Sequence, residues 1–444
     1  MNPTKIINNK GIKAIVLESW AVSWPMTLIM FFEFLIGLSD VYIAGRFGKE
    51  VQAGYGLAFQ LYFIFIISGM ALTVGTVSVI SRLFTSENRK GLFAAVNTSL
   101  VMAIAAGILS TVLGVFFSKQ AINHLSTPLV VKALAVPLLI IYSMGFIFDY
   151  VLMSTNGILR ACGMIRKSLL TMTVVCLLNI ALNFMLAFGT ALGYRGIGVA
   201  TVISLSIGAV LNLIFTRRLI SPGRGWLSFS VFKDIMNISW PAGLLQIFWQ
   251  LGTMVLFLIL GLMPFRNIEV MAAFTNGLKI ESAIFLPAFA FSMANAVLVG
   301  NALGRNDAED AFKRGIATAV TGVVIVTAMT IIIMSNAGFI ASRLSGDSVV
   351  VDETLRYIYI ALLLEPFMAW NVILGGGLNG AGDTKAVMLI VGLSVWCVRI
   401  PLSYLAGAHF GFGPAGVWWA MNASIICQGI LITRRYFSKN WMLS

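Results

Sequence analysis

The two halves of this amino-acid sequence carry the same short markers in the same order, and both halves are strongly apolar. The markers are residues 23–25 and 239–241 (Ser-Trp-Pro, 216 positions apart), the polar turns 157–163 and 376–382 (219 apart), and Gly198-Val199 and Gly416-Val417 (218 apart). Because the order and nearly the spacing are kept, we infer that a half-chain was duplicated. Duplicated membrane bundles usually carry their functional site where the repeats meet.

The composition predicts a membrane protein. Hydrophobic residues make up 59% of the 444 residues and charged residues 11%, whereas an average soluble protein has about 25% charged residues. Neither an open sheet nor barrel strands fit, because lipid leaves sheet edges unsatisfied and the apolar segments are too long for strands. We therefore predict an all-α polytopic membrane protein.

The apolar segments predict about twelve transmembrane helices of roughly 20 residues or more. These spans are 15–44, 52–80, 92–117, 131–158, 168–190, 195–216, 234–263, 268–300, 314–340, 351–378, 386–409 and 413–433. Six helices per half is an even number, so both halves enter the membrane in the same orientation and form parallel repeats. We predict an N-lobe at 1–216 (helices 1–6), a cytoplasmic linker at 217–233 and a C-lobe at 234–444 (helices 7–12).

The net charge of +13 reflects membrane topology. The connections on one side of the predicted membrane hold 20 Lys and Arg residues, the opposite connections hold eight, and two lie within spans. This asymmetry follows the positive-inside rule and places both termini in the cytoplasm. We therefore expect a multi-pass protein of the cell (inner or plasma) membrane, without a nucleic-acid partner.

The sequence contains no pattern typical of an enzyme or a metal site. The four cysteines and two histidines are scattered, without C-x-x-C or H-E-x-x-H spacing, and no G-x-x-x-x-G-K-[ST] loop for ATP is present. We predict no enzymatic activity, no cofactor and no bound structural metal. A pump without an ATP site must draw on an ion gradient.

Ionisable side chains within membrane spans are costly and are therefore candidates for function. Glu33 and Asp40 lie seven residues, about two turns, apart in the first predicted helix and so nearly on one face. Pro25 lies upstream and removes a backbone donor, so we expect a bending point there. The same residues also fit a simpler interpretation, in which Asp40 is an interfacial acid and Glu33 is protonated or bonded to a neighbouring helix.

Other polar groups occur within the predicted spans of both lobes. Asn179 and Asn183 are four residues apart and share a helix face, and Thr201 follows in the next helix. These three residues are candidates for a cation site, although paired asparagines also join helices without any further role. In the C-lobe, possible polar groups of a cavity are Lys279, Glu281 and Arg399, each of which also fits pairing with a neighbouring helix.

Several segments together resemble the multidrug and toxic compound extrusion (MATE) transporters across essentially the whole chain. They are Pro25 in the first helix, Asp40 followed by Gly45-Arg46-Phe47-Gly48, residues 299–304 (Val-Gly-Asn-Ala-Leu-Gly) and residues 378–384 (Leu-Asn-Gly-Ala-Gly-Asp-Thr). The overall pattern is similar to the branch related to DNA-damage-inducible MATE proteins. The resemblance implies two six-helix lobes in a V, alternating access, and export of cationic or amphipathic compounds against inward H⁺ or Na⁺ flow.

The resemblance also assigns roles to residues. It implies an N-lobe cation site at Asp40 with Asn179, Asn183 and Thr201. From the residues of this chain we expect Glu33 to aid Asp40, and Na⁺ is possible at Asp40, Asn179 and Asn183. Many family members carry an aspartate where this chain has Asn183. In the branch with C-lobe acids, this chain instead has Trp249 and Met368 at the matching positions, which argues against a C-lobe sodium site of that kind.

We predict a cation-coupled antiporter that exports hydrophobic or cationic drugs and toxic organic compounds by alternating access. H⁺ is favoured over Na⁺ as the coupling ion because a near-lone carboxylate beside amides can titrate. The alternative is a flippase for lipid-linked precursors of the wider superfamily, which Lys279 and Arg399 keep open. We expect a monomer in the lipid bilayer, because each lobe provides the other's interface.

Overall fold

The computed structural model describes residues 12–86, 88–125, 127–220, 227–263 and 266–442. Its helices are α1 (Ile12–Arg46), α2 (Lys49–Thr85), α3 (Arg89–Asn123), α4 (Leu129–Met144), α5 (Phe146–Ala161), α6 (Ile165–Gly189), α7 (Arg195–Thr216), α8 (Phe229–Gly261), α9 (Asn267–Gly304), α10 (Ala308–Ser335), α11 (Ala337–Leu344), α12 (Ser348–Ala361), α13 (Glu365–Gly380), α14 (Thr384–Leu393), α15 (Ile400–Ser403) and α16 (Gly413–Phe437). Eleven of the helical spans are long and apolar enough to cross a membrane, and the bent pair α4–α5 makes twelve. The predicted all-α polytopic fold is confirmed, and the described residues form no β-strand.

Four predicted spans are interrupted rather than continuous, and one of them, predicted at 314–340, breaks at Asn336 between α10 and α11. The span predicted at 131–158 bends by 50° between α4 and α5 at Gly145, where an added Cβ would lie 2.8 Å from a methyl carbon of Val202. A 3₁₀ turn at Leu362–Leu364 separates α12 from α13, which has Pro366 in its first turn. The span predicted at 386–409 contains π-helical turns at Ser394–Arg399 and Tyr404–His409. Such turns occur often at functional sites.

The chain forms two compact units, and the helices α1 and α8 are each divided between them. Each unit includes the first half of the helix whose second half belongs to the other unit. One unit, the C-terminal unit, comprises Met1–Thr27 and Leu244–Ser444, and the N-terminal unit comprises Leu28–Gly243. The divisions fall within α1 and α8, two residues after Pro25 and two after Pro241. These boundaries differ from the lobes predicted by counting helices, because they follow packing contacts. The described residues of the predicted linker belong to the N-terminal unit, and linker residues 221–226 lie outside the described part of the chain.

Specific contacts explain this exchange of helix halves. In the C-terminal unit the carboxylate of Glu18 on α1 pairs with Arg314 on α10 at 2.9 Å, and Ser19 Oγ bonds Thr318 Oγ1 at 2.8 Å. In the N-terminal unit α8 lies against Gly75 of α2 so closely that an added Cβ would lie 2.5 Å from the Ile235 carbonyl oxygen. A half-buried ion pair and a glycine contact therefore fix these helix halves to their units.

The structure supports the sequence repeat at the two polar turns. Gly163 and Gly382, 219 residues apart, both adopt left-handed backbone conformations, with φ of 71° and 82°. The bonds that close the turns also match, from Met164 N to Leu159 O at 2.7 Å and from Asp383 N to Leu378 O at 2.9 Å. This is the pattern of a glycine-terminated helix end.

A pair of equivalent glycines gives a test of packing in the two units. An added Cβ at Gly376 would overlap the backbone carbonyl oxygen of Ser292, whereas at Gly157, 219 residues earlier, it would lie 3.0 Å from a methyl carbon of Thr73. We expect Gly376→Ala to destabilise the protein by about 1–3 kcal/mol, because backbone atoms cannot move aside. Gly157→Ala is the matched control and should have little effect, because a side chain can adjust. Thermal unfolding of both variants in detergent checks this expectation, which equal unfolding temperatures would contradict.

Candidate functional site

A buried chain of polar side chains joins α1, α6 and α7 within the N-terminal unit. Asn183 Nδ2 donates to Asp40 Oδ1 at 2.6 Å and to Asn179 Oδ1 at 3.0 Å. Asn179 Nδ2 then donates to Thr201 Oγ1 at 3.2 Å and to Ser204 Oγ at 3.4 Å. The helical spacing explains the arrangement, since residues three or four apart lie on one face. The structure thus brings together the four residues Asp40, Asn179, Asn183 and Thr201.

Asp40 is the only carboxylate in this row of hydrogen-bonded side chains, and it is buried. Its side chain is 4% exposed, and the two asparagines are fully buried. Among the described residues, no Lys or Arg forms an ion pair with Asp40. The Asn183 Oδ1 atom is also buried, without a hydrogen bond. An unpaired buried charge is costly, and a bound cation removes that cost, so this arrangement is suited to accept one.

Glu33 lies apart from the hydrogen-bonded side chains around Asp40. Its side chain is exposed, whereas Asn183 of α6 covers Asp40 two turns along α1. The electrostatic neighbours of Glu33 are Arg160 and Asp149 of α5. The predicted shared helix face therefore does not give a shared environment, because burial depends on the neighbouring helices. Pro25 lies within α1 near the division between the compact units.

The polar residues predicted in the C-lobe separate into an exposed lysine and a buried cluster. Lys279 is exposed, and Glu281 is buried and accepts a hydrogen bond from the Tyr357 hydroxyl. Arg399 is 5% exposed, donates from Nε to Ser424 Oγ at 2.9 Å and interacts electrostatically with Glu281 and with Glu365, which is 1% exposed. The structure thus places Glu281 and Arg399 together and Lys279 elsewhere.

The guanidinium of Arg399 also lies over an aromatic ring. Its Cζ atom is 5.0 Å from the ring centroid of Trp249 on α8, an arrangement typical of a cation–π interaction. Met368 is 5% exposed and belongs to the apolar core of the C-terminal unit. At the two positions where other family members carry acids, Trp249 thus makes a cation–π contact and Met368 makes apolar contacts.

Some residues near Asp40 were not predicted from the sequence. Ser204 completes the chain and could have been found, because it follows Thr201 by three residues on α7. Tyr55 of α2 and Tyr142 of α4 also lie near the Asp40 carboxyl. Only the packing of helices brings them there, and no spacing along the chain indicates it.

Two related helical halves, each with membrane-spanning helices and buried charged groups, define the class of polytopic membrane transporters. A model of the MatE family matches this chain at residues 25–185 and again at 241–405. The chain therefore belongs to the MATE family, whose members are transporters and not enzymes. The two matches begin 216 residues apart, which is the spacing of the Ser-Trp-Pro markers.

Curated proteins and solved structures agree with this family. The chain is 24% identical over 439 residues to the uncharacterized transporter YisQ of Bacillus subtilis, covering 95% of this chain and 94% of that protein. It is 25% identical over 425 residues to the probable multidrug resistance protein NorM of Thermotoga maritima, covering 92% and 89%. A solved outward-facing multidrug resistance MATE transporter has the same fold, with a TM-score of 0.89, 20% identity and 97% of both chains covered.

Proposed function

We propose that this protein is an H⁺-coupled antiporter that exports hydrophobic or cationic drugs and toxic organic compounds across the cell membrane. The names of several relatives as probable multidrug resistance proteins support the substrate class. The observation that carries the coupling is the buried Asp40 carboxylate, held by an amide and without an ion-pair partner among the described residues. We further propose that it works as a monomer with both termini in the cytoplasm.

The hydrogen bond from Asn183 to Asp40 favours H⁺ over Na⁺. Its direction places amide hydrogens, and not the amide oxygen, against the carboxylate. A sodium ion at this point needs several oxygen ligands and is repelled by the hydrogens, whereas a proton needs one carboxylate oxygen. The Asn179 amide likewise directs its hydrogens to Thr201 and Ser204.

The proposed cycle begins when a proton from outside reaches Asp40 and neutralises it. The neutral carboxyl no longer bears the cost of a buried charge, so α1 can repack around Pro25, which lacks a backbone hydrogen-bond donor. The protein then opens inward and the proton leaves. A cationic drug competes for the same carboxylate, and this competition makes the exchange obligatory.

Purified protein in liposomes, loaded with a cationic dye, tests the coupling ion. We expect an imposed pH gradient alone to drive dye export, with no acceleration by an added sodium gradient. A strict sodium requirement would contradict proton coupling and assign Na⁺ to the Asp40 oxygens and their neighbours. Failure of both gradients, together with transfer of a lipid-linked sugar in the same vesicles, would overturn the antiporter and favour the flippase.

A further inference from the structure

The N-terminal unit contains a second buried carboxyl group, Asp149 of α5, which the cycle above does not use. Asp149 is 5% exposed, and its Oδ2 atom accepts a hydrogen bond from the Tyr62 hydroxyl of α2. Among the described residues no Lys or Arg forms an ion pair with it. A buried acid within a membrane span is energetically costly, so it is a candidate for a functional role.

Tyrosine side chains lead from Asp149 to Asp40. The ring of Tyr62 lies 5.2 Å from the ring of Tyr142, centroid to centroid. Tyr142 in turn interacts electrostatically with Asp40, and its buried hydroxyl lies beside Thr201 without a hydrogen bond of normal geometry. The side chains of Tyr62 and Tyr142, with Tyr55 beside them, thus lie between the two carboxyl groups, and tyrosine hydroxyls can both donate and accept hydrogen bonds.

The remaining polar groups around Asp149 are few. Glu33 of α1 lies within electrostatic range and is itself near Arg160. Tyr150, the next residue along α5, interacts with Asp149 electrostatically, while its hydroxyl bonds Ser68 of α2, the Phe65 carbonyl and Ser110 of α3. Tyr62 packs flat on Phe146 with ring centroids 5.3 Å apart, which fixes its hydroxyl toward Asp149. The surroundings thus hold one further acid, Glu33, and the cation Arg160.

We propose that Asp149 is a second proton-binding group, which receives the proton from Asp40 through the hydroxyls of Tyr142 and Tyr62. The proton of the Asp40 carboxyl passes to the Tyr142 oxygen as the Tyr142 hydroxyl proton passes to Tyr62. In the same concerted shift the Tyr62 hydroxyl proton passes to Asp149 Oδ2, so that neither tyrosine carries two protons. Each O–H bond that breaks is replaced, both tyrosines end neutral, and Asp40 is again charged and free to bind a cationic substrate.

This inference rests on the proposed proton coupling, and variants of purified protein separate the two. Asp149→Asn keeps an oxygen that accepts the Tyr62 hydrogen bond but cannot titrate. We expect it to lose one pH-dependent carboxyl C=O band in infrared difference spectra and to slow pH-driven dye export roughly 10²-fold, with dye binding retained. Asp149→Glu restores a titratable group and should recover part of the export.

Two further variants test the route and control for structural damage. Tyr62→Phe removes the relay hydroxyl, so it should slow export while the Asp149 carboxyl band persists at a shifted frequency. Ser110→Ala removes a hydrogen bond to Tyr150 in the same region and should leave both export and the bands unchanged. Wild-type export and a wild-type spectrum in Asp149→Asn would overturn the inference while leaving Asp40 coupling intact, whereas wild-type export in Asp40→Asn would overturn the coupling itself.

Discussion

Replacing Asp40 with asparagine should abolish export driven by a pH gradient, with a loss of at least about 10²-fold in initial rate. The variant keeps the size of the side chain and an oxygen that can accept the bond from Asn183, which is 2.6 Å long in the wild type. It removes the only group in the buried chain that can take up a proton. Dye export from liposomes under an imposed pH gradient measures the effect.

A neutral member of the same chain provides the matched control. Asn179→Ser removes an amide that bonds Thr201 and Ser204 but leaves the Asp40 carboxylate. We expect it to lower the rate by less than about tenfold, because a hydrogen bond between neutral groups in a membrane protein contributes only about 0.6 kcal/mol on average. Undiminished export by Asp40→Asn would remove Asp40 from the coupling mechanism, and equal losses in both variants would indicate a structural role.

The neighbours of Asp40 were predictable because local geometry and resemblance agreed. Asn179 and Asn183 lie four residues apart, so any helix places them on one face, and the first-helix acid with Thr201 followed from the family pattern. The separation of Glu33 from Asp40 was not predictable. A spacing of seven residues fixes the direction of a side chain from its helix, but the helices that pack there decide whether it is buried.

The exchange of helix halves was beyond sequence reasoning for the same reason. The predicted boundary at 216 follows the loop between α7 and α8, whereas α8 up to Gly243 packs into the N-terminal unit. The decisive contact is the approach of α8 to Gly75 of α2, which are more than 150 positions apart in sequence. Hydropathy reports the length of a helix and carries no information about its partner.

The register of the repeat also changes along the chain. Gly196 packs on the backbone of Leu186 and Gly416 on the backbone of Ala406, with added Cβ atoms at 2.7 and 2.9 Å from carbonyl carbons. These equivalent contacts are 220 positions apart, and not the 218 inferred from Gly198 and Gly416. The offset thus grows from 216 at the Ser-Trp-Pro markers through 219 at the polar turns. The residue gained between the polar turns and these contacts falls within the span that contains the π-helical turns, while the helix contacts are kept.

Of the single variants proposed in the C-terminal unit, Arg399→Met should give the smallest amount of folded protein. Arg399 is the only cation that interacts electrostatically with both Glu281 and Glu365 among the described residues. Glu365 already has a buried Oε2 atom without a hydrogen bond. Removing one partner of a buried charge cluster leaves uncompensated charge and costs about 3–5 kcal/mol. Yield of monodisperse protein in detergent and its unfolding temperature measure the loss.

Lys279→Met is the matched control for this change. It removes a cation from the helix that carries Glu281, but Lys279 is exposed, so we expect an effect within about 0.5 kcal/mol. The combined variant Arg399→Met with Glu365→Gln should recover part of the stability, because it removes one of the two carboxylates that lost their counter-charge. Equal unfolding temperatures for Arg399→Met and Lys279→Met, or no recovery in the combined variant, would show that the cluster is not held by its charges. In that case the stacking of Arg399 on Trp249 and its bond to Ser424 would be its main contribution to the fold.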